Sequence, residues 1–298
     1  VYERAPGRPG RWSGHAGTVT LRYRDTPVED DTAEDGPTPT QRFAALVADG
    51  EPVLDDALLL IASHAYPDLD VARWKAHLDV LAEAAPAPGA LGADELARYC
   101  ASALRLRGNE EDYGDPRNSY LNEVLTRGLG IPITLSVVMM ELGRRLGIEL
   151  VGVGMPGHFL VGRPNRHDRY WDPFHGFRPL DERGCREVFE RVVGADVAFT
   201  RAHLAPVGRL AIVARVLMNL QRTALVRDRA TAVWVVRLQL TLPGLASAER
   251  YELAALLGSL GAFGESAGQL DRVARDARDD SLADRAAGTA TALRARTN

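Results

Sequence analysis

Two side chains suited to acid–base chemistry stand in apolar surroundings in the middle of the chain: His158, in Gly157-His158-Phe159-Leu160-Val161, and Asp172, in Tyr170-Trp171-Asp172-Pro173-Phe174. The alternation and turn residues predict strands over 157–163 and 169–173, joined as a hairpin through Pro164-Asn165-Arg166. With that three-residue loop Arg163 lies opposite His167, and His158 then lies directly opposite Asp172. Cross-strand partners have Cβ atoms about 4.5–5.5 Å apart on one side of a sheet, near enough for a carboxylate to hold an imidazole. Phe159 and Trp171 pair on the other side. A carboxylate so placed fixes the imidazole tautomer and stabilises the imidazolium, the orienting half of a nucleophilic site. The same pair also fits a buried histidine satisfied by a carboxylate for structural reasons.

Such a pair acts only if elements around it supply a nucleophile. A third strand is expected near 149–154, with a helix ending near Arg127 and a buried helix over Pro132–Leu146 before it. Pro132 is preorganised for the first helical position and Gly147 is a C-terminal stop. Leu135, Val138, Met139, Leu142 and Leu146 form a core stripe. Pro132, Ser136 and Gly143 lie on the neighbouring face. Ser136 is a candidate nucleophile, although a small residue where a helix packs closely on a sheet explains it equally. Thr134 is no better supported. No cysteine lies in this stretch.

The run Tyr120-Leu121-Asn122-Glu123 through Pro156-Gly157-His158-Phe159-Leu160-Val161, followed by Asp172-Pro173-Phe174-His175-Gly176 and Leu180-Asp181-Glu182-Arg183-Gly184-Cys185, resembles the SirB-type bacterial transglutaminase-like family. The resemblance covers about residues 40–275. It implies a helical N-terminal segment, a transglutaminase-like core and a tetratricopeptide-like tail; a related core occurs in some eukaryotic F-box proteins. In the enzymes of this kind a Cys opens the core helix, a His lies on the following sheet and an Asp on the next strand. The last two roles carry over to His158 and Asp172. The Cys position falls at about Pro132, which cannot attack a carbonyl.

The fold expected is α+β and mostly helical: a helical N-terminal segment, a transglutaminase-like (papain-like) core with a small antiparallel sheet, and an all-α tail. The division is 1–37 as a disordered arm, 38–112 as the helical segment, 113–205 as the core and 206–298 as the tail. At 298 residues the chain has room for two or three packed units. The net charge of −4, with no basic patch interleaved with aromatics, argues against nucleic acid. Lys75 is the one lysine, which excludes Walker-type phosphate loops. No apolar run is long enough for a membrane span, and two cysteines without a disulfide pattern suit a reducing compartment, so a cytoplasmic setting is expected.

Residues 1–37 are rich in Arg, Gly and Pro and then acidic, with strand-like alternation only at Thr18–Tyr23. Four amphipathic helices are expected from Thr40 to about Arg107, the third capped by Asp70 with Val71, Trp74, Leu78 and Leu81 on one face. In the fourth, Leu96, Cys100 and Ala103 share a face, which makes Cys100 a core residue. His64 and His77 read as structural. Gly152-Val153-Gly154-Met155-Pro156-Gly157 matches G-x-G-x-x-G but continues as strand, where a dinucleotide site needs a helix. His158, His167, His175, Asp168 and Asp172 crowd together, yet no metal-ligand spacing supports them, and neither metal nor cofactor is expected. Cys185 shares a stripe with Val188, Phe189 and Val192 and reads as core. Helices are expected over 207–228, 230–241, 247–260, 264–277 and 281–296. Within them Arg229-Ala230-Thr231-Ala232 and Gly264-Glu265-Ser266-Ala267 recur near the tetratricopeptide period.

The functional expectation is a transglutaminase-like protein without its cysteine nucleophile that binds a peptide or protein. The alternative is an amide or ester hydrolase in which His158 and Asp172 act with Ser136 or with water.

Overall fold

A computed structural model describes residues 36–86 and 92–296, so nearly all of the N-terminal arm, with Thr18–Tyr23, lies outside the described residues. The chain is mostly helical with a small antiparallel sheet, the α+β class expected. Helix α1 (Pro39–Val47) starts at a capping box in which Thr38 accepts from the Gln41 backbone and the Gln41 side chain accepts from Thr38. Helix α2 (Leu54–Ser63) is apolar nearly all round and therefore runs through the core. Helix α3 (Val71–Glu83) is capped by Asp70, as its sequence predicts.

Helix α4 (Ala93–Arg98) passes into a π-helical turn, Tyr99–Ala103, closed by a hydrogen bond from the Leu104 amide to the Tyr99 carbonyl. The wider turn breaks the 3.6-residue period. Leu96 and Cys100 stay buried while Ala103, expected on the same face, is exposed.

Strands β1 (Arg107–Gly108) and β2 (Leu129–Gly130) form a parallel clasp, with α5 (Leu121–Arg127) between them in the chain. Helix α6 (Pro132–Arg145) follows, with its expected stripe buried from Leu135 to Leu142. The five-stranded antiparallel sheet has the order β6-β5-β4-β3-β7. Its strands are β3 (Val151–Val153), β4 (Leu160–Arg163), β5 (Arg166–Asp172), β6 (Arg178–Leu180) and β7 (Pro206–Val207). Phe159, Val161 and Trp171 join the core containing α6, whereas Val153, Leu160 and Tyr170 meet α7 (Glu182–Val193) on the other side. Strands β1, β2, β6 and β7, of two or three residues each, are too short to show alternation and left no sequence signal, whereas β3 falls within the strand expected near 149–154.

The hairpin register differs from the expected one. Arg163 pairs with Arg166 across a two-residue turn, with Asn165 in the left-handed region (φ 58°), and Val161 rather than Phe159 pairs with Trp171. An irregularity between residues 161 and 163 accommodates the change. Residues 157–159 are loop, so His158 precedes its strand.

Helices α8 (Arg209–Arg227), α9 (Arg229–Thr241), α10 (Ser247–Ser259), α11 (Phe263–Asp276) and α12 (Asp280–Arg294) follow, each packed on the next. The two recurring tetrads sit at the start of α9 and in the first turn of α11. Helices α2, α3 and α6 are tied together by buried charge. Arg145 reaches Asp55 at 2.6 Å, Glu141 at 3.0 Å and Asp79 at 2.7 Å, and Arg144 reaches Asp55 and Glu141. Burial and then the neighbouring Asp55 push the Glu141 carboxyl above its usual range.

Candidate functional site

His158 and Asp172 meet at the end of β5. Their side chains are 2.9 Å apart, from His158 Nε2 to Asp172 Oδ1, and both are buried. Asp172 ends β5, and the Asp-Pro-Phe-His-Gly-Phe segment then turns the chain back into β6 with Gly176 and Phe177 both at positive φ. That turn brings His175 under its own strand end, where Nδ1 contacts Asp172 Oδ2 at 2.7 Å and the backbone N–H donates to Oδ1 at 3.3 Å. Burial alone would raise the Asp172 carboxyl, but the hydrogen bonds and charges of His158 and His175 outweigh it and hold Asp172 below its ordinary range. An ionised carboxylate only accepts, so both imidazoles donate to it and the opposite nitrogen of each ring is the basic one. Among the described residues, His158 Nδ1 has no hydrogen-bond partner.

The loop carrying His158 is held from two directions. Gly157 takes φ +71°, and a Cβ there would come within 2.3 Å of Val192, so only glycine turns the backbone this close to α7. Val192, expected in the core, stays 45% exposed beside that turn. From α8, Arg215 donates through Nη2 to the carbonyls of Met155 and His158, each at 2.9 Å, and lies over the Phe159 ring. The G-x-G-x-x-G segment is thus a β3–β4 connection clamped by an arginine, with no helix opening there. Phe174 stands edge-on to both imidazoles, and Tyr113, 52% exposed, packs against Phe174. Gly108 of the clasp donates its N–H to the Phe174 carbonyl, and a Cβ at 108 would meet the Phe174 ring at 2.5 Å.

Of the three sequence candidates, two converge. Ser136 is fully buried within α6, donates to the Pro132 carbonyl at 2.8 Å and makes no hydrogen bond to His158. The Thr134 hydroxyl donates to the Asn118 carbonyl at 2.7 Å. Cys100 lies in the α6 core and Cys185 in the cluster beneath α7. Burial pushes the Cys100 thiol up, and burial followed by Asp181 and Asp172 pushes Cys185 up to about 12. Cys185 is therefore expected to react with a thiol reagent only as fast as the chain opens, and rapid labelling of the folded protein would overturn that reading.

The sequence grouped His175 with His158 and Asp172 only through a metal reading that no ligand spacing supported, and not as a hydrogen-bond partner of Asp172. The signal for that contact is the i, i+3 spacing from Asp172 across a proline-containing turn, which brings two side chains to one point only once the turn's left-handed residues are known. Arg215 carried no signal, because a helix in the following segment supplies it.

A family model described as the transglutaminase-like superfamily matches residues 71–218. A UPF0162 protein of Xylella fastidiosa is 40% identical over 194 residues, covering 61% of this chain and 68% of that protein. The chain belongs to this bacterial transglutaminase-like family. A UPF0162 protein of Pseudomonas aeruginosa is 33% identical over 189 residues, covering 62% of this chain and 69% of the relative. The F-box only protein 21 of Mus musculus is 43% identical over 58 residues, which is 20% of this chain and 9% of that protein. No solved structure matches the chain. No helix among the described residues is long and apolar enough to cross a membrane.

Proposed function

We propose that this chain is a transglutaminase-like protein that works without a cysteine nucleophile, holding a peptide or protein segment at the His158 end of its core in the cytoplasm. The observation that carries this reading is Pro132 at the first position of α6, where enzymes of this kind are expected to place the attacking thiol. Three further features support it. Both cysteines are buried in apolar clusters, the hydroxyls of Ser136 and Thr134 are committed to backbone carbonyls, and Phe174, with Tyr113 packed on it, stands edge-on to His158. Aromatic rims bury large area at little entropic cost, which suits recognition of an extended segment. The unpaired cysteines fit a reducing compartment. On this reading residues 38–112 are the helical segment, 113–205 the core, and 206–298 a tetratricopeptide-like tail.

One observation favours a second reading. His158 is oriented by Asp172 and leaves Nδ1 without a protein partner, the state of a base able to activate water against an amide or ester. A panel of glutamine-containing peptides and aryl esters separates the two. No turnover above buffer is expected from the wild type, and peptides retained on an array should bind at least about tenfold more weakly to Tyr113→Ala, as loss of an aromatic anchor implies. Turnover abolished by His158→Ala or Ser136→Ala would decide for the hydrolase.

A further inference from the structure

Three atoms of ligand type converge beside β5. A ring nitrogen of His158, a carboxylate oxygen of Asp172 and a ring nitrogen of His175 all lie within 4.8 Å of one another. The carboxylate gives one oxygen to each imidazole, at 2.9 and 2.7 Å, and the rings lie 5.5 Å apart at 29°. On the core side the cluster is sealed, with Asp172 at 0% and His158 at 4% exposure. The His175 side chain is 31% exposed, which leaves one open approach.

Two imidazoles and one carboxylate, with room for further ligands on one side, are the donor set that first-row divalent cations take, whereas magnesium and calcium favour all-oxygen sites. We propose that His158, Asp172 and His175 form a binding site for one first-row divalent transition cation, with zinc as the reference ion. Ligand bonds of about 2.0–2.2 Å place neighbouring donor atoms roughly 3 Å or a little more apart, a spacing comparable to that of the donor atoms here. The elements that hold the donors are already fixed: Arg215 pins the His158 carbonyl, and Gly108 pins the turn that carries His175.

The cation and the dyad exclude one another. In the hydrogen-bonded form His158 Nε2 carries the proton given to Asp172; in the metal form Nε2 supplies its lone pair and the proton resides on Nδ1. His175 changes in the mirrored sense, the proton passing from Nδ1 to Nε2. No net proton is released; with Nε2 on the ion and Nδ1 protonated, His158 would no longer have a basic nitrogen, and the ion would be the group that acidifies a water on its open side. Arg178 opposes binding, since its Nε lies 3.8 Å from Asp172 Oδ2 and it is the register partner of Asp172 on β6. Its side chain is 43% exposed, so it can swing away toward solvent.

The test uses the full chain, stripped with a chelator and titrated with zinc in a calorimeter, and in parallel with cobalt, followed by its visible absorption. One equivalent of each ion is expected. His175→Ala should weaken zinc binding by at least about a hundredfold, more than the loss of an outer partner of a metal ligand costs. His167→Ala, at an exposed residue near the start of β5, should leave binding unchanged, and Arg178→Gln should tighten it. A thermal melt of metal-free His175→Ala checks that the variant is folded. No bound equivalent, or zinc binding that survives His175→Ala unchanged, overturns the proposal. Peptide retention measured in chelator is independent of these outcomes, so failure of the metal site and failure of the peptide-binding reading are distinguished.

Discussion

Asp55→Ala is expected to cost about 3 kcal/mol of folding stability. Asp55 is fully buried at the start of α2 and accepts from Arg145 at 2.6 Å and from Arg144 at 3.3 Å. The Arg145 side chain is only 9% exposed, so its charge has little water to fall back on. Removing the carboxylate strands that charge, and breaking a buried pair costs far more than the pair is worth against an apolar replacement. Two features keep the loss at the lower end of the usual 3–5 kcal/mol: Glu141 and Asp79 still contact Arg145, and Arg144 is open enough to turn to solvent. Asp55→Asn, which keeps an acceptor but not the charge, should lose less. Urea denaturation of the two variants and the wild type measures this. A loss under about 1 kcal/mol for the alanine variant would place the Arg145 charge in water and contradict its burial.

Asp172→Ala is expected to lower stability by about 1–3 kcal/mol and to loosen the whole Pro-Phe-His-Gly turn. The carboxylate accepts three hydrogen bonds, from His158, from the His175 ring and from the His175 backbone. His158, at 4% exposure, keeps a buried donor with nowhere to go, whereas His175 recovers water. The asparagine variant gives the sharper test. Its one carbonyl oxygen satisfies a single imidazole N–H, and its amide then faces the other ring, which must switch tautomer to accept. Asp172→Asn should therefore retain most of the stability and alter the imidazole nitrogen shifts in a spectrum of ¹⁵N-labelled protein. If the two rings keep their wild-type tautomers in Asp172→Asn, the shared carboxylate is not what sets them.

The helices were largely legible in the sequence because their information is local. Asp70 caps its helix, Pro132 opens α6, Gly147 at φ +70° ends it, and the five helices after Pro206 are marked by a 3.6-residue apolar period. The π-helical turn after α4 was not, since one extra residue per turn leaves composition unchanged while rotating Ala103 to solvent. Strand register was misread for a related reason. Period-2 patterning assigns faces but not partners, and the turn length that sets the partners depends on whether Asn165 takes a left-handed conformation.

By itself the sequence determined that His158 and Asp172 stand at the ends of consecutive extended segments in an apolar setting, and that Pro132 opens the buried helix before them. It also determined that both cysteines carry the patterning of core residues. The tertiary structure decided which groups those two residues meet. His158 lies before its strand, two residues out of the expected register, yet reaches Asp172 because the loop at Gly157 folds back and Arg215 holds its carbonyl from α8. His175 joins them because Gly176 and Phe177 turn the chain sharply enough to share one carboxylate between two imidazoles. Those contacts depend on backbone dihedrals and on elements distant in the chain, and neither is encoded in residue type and spacing alone.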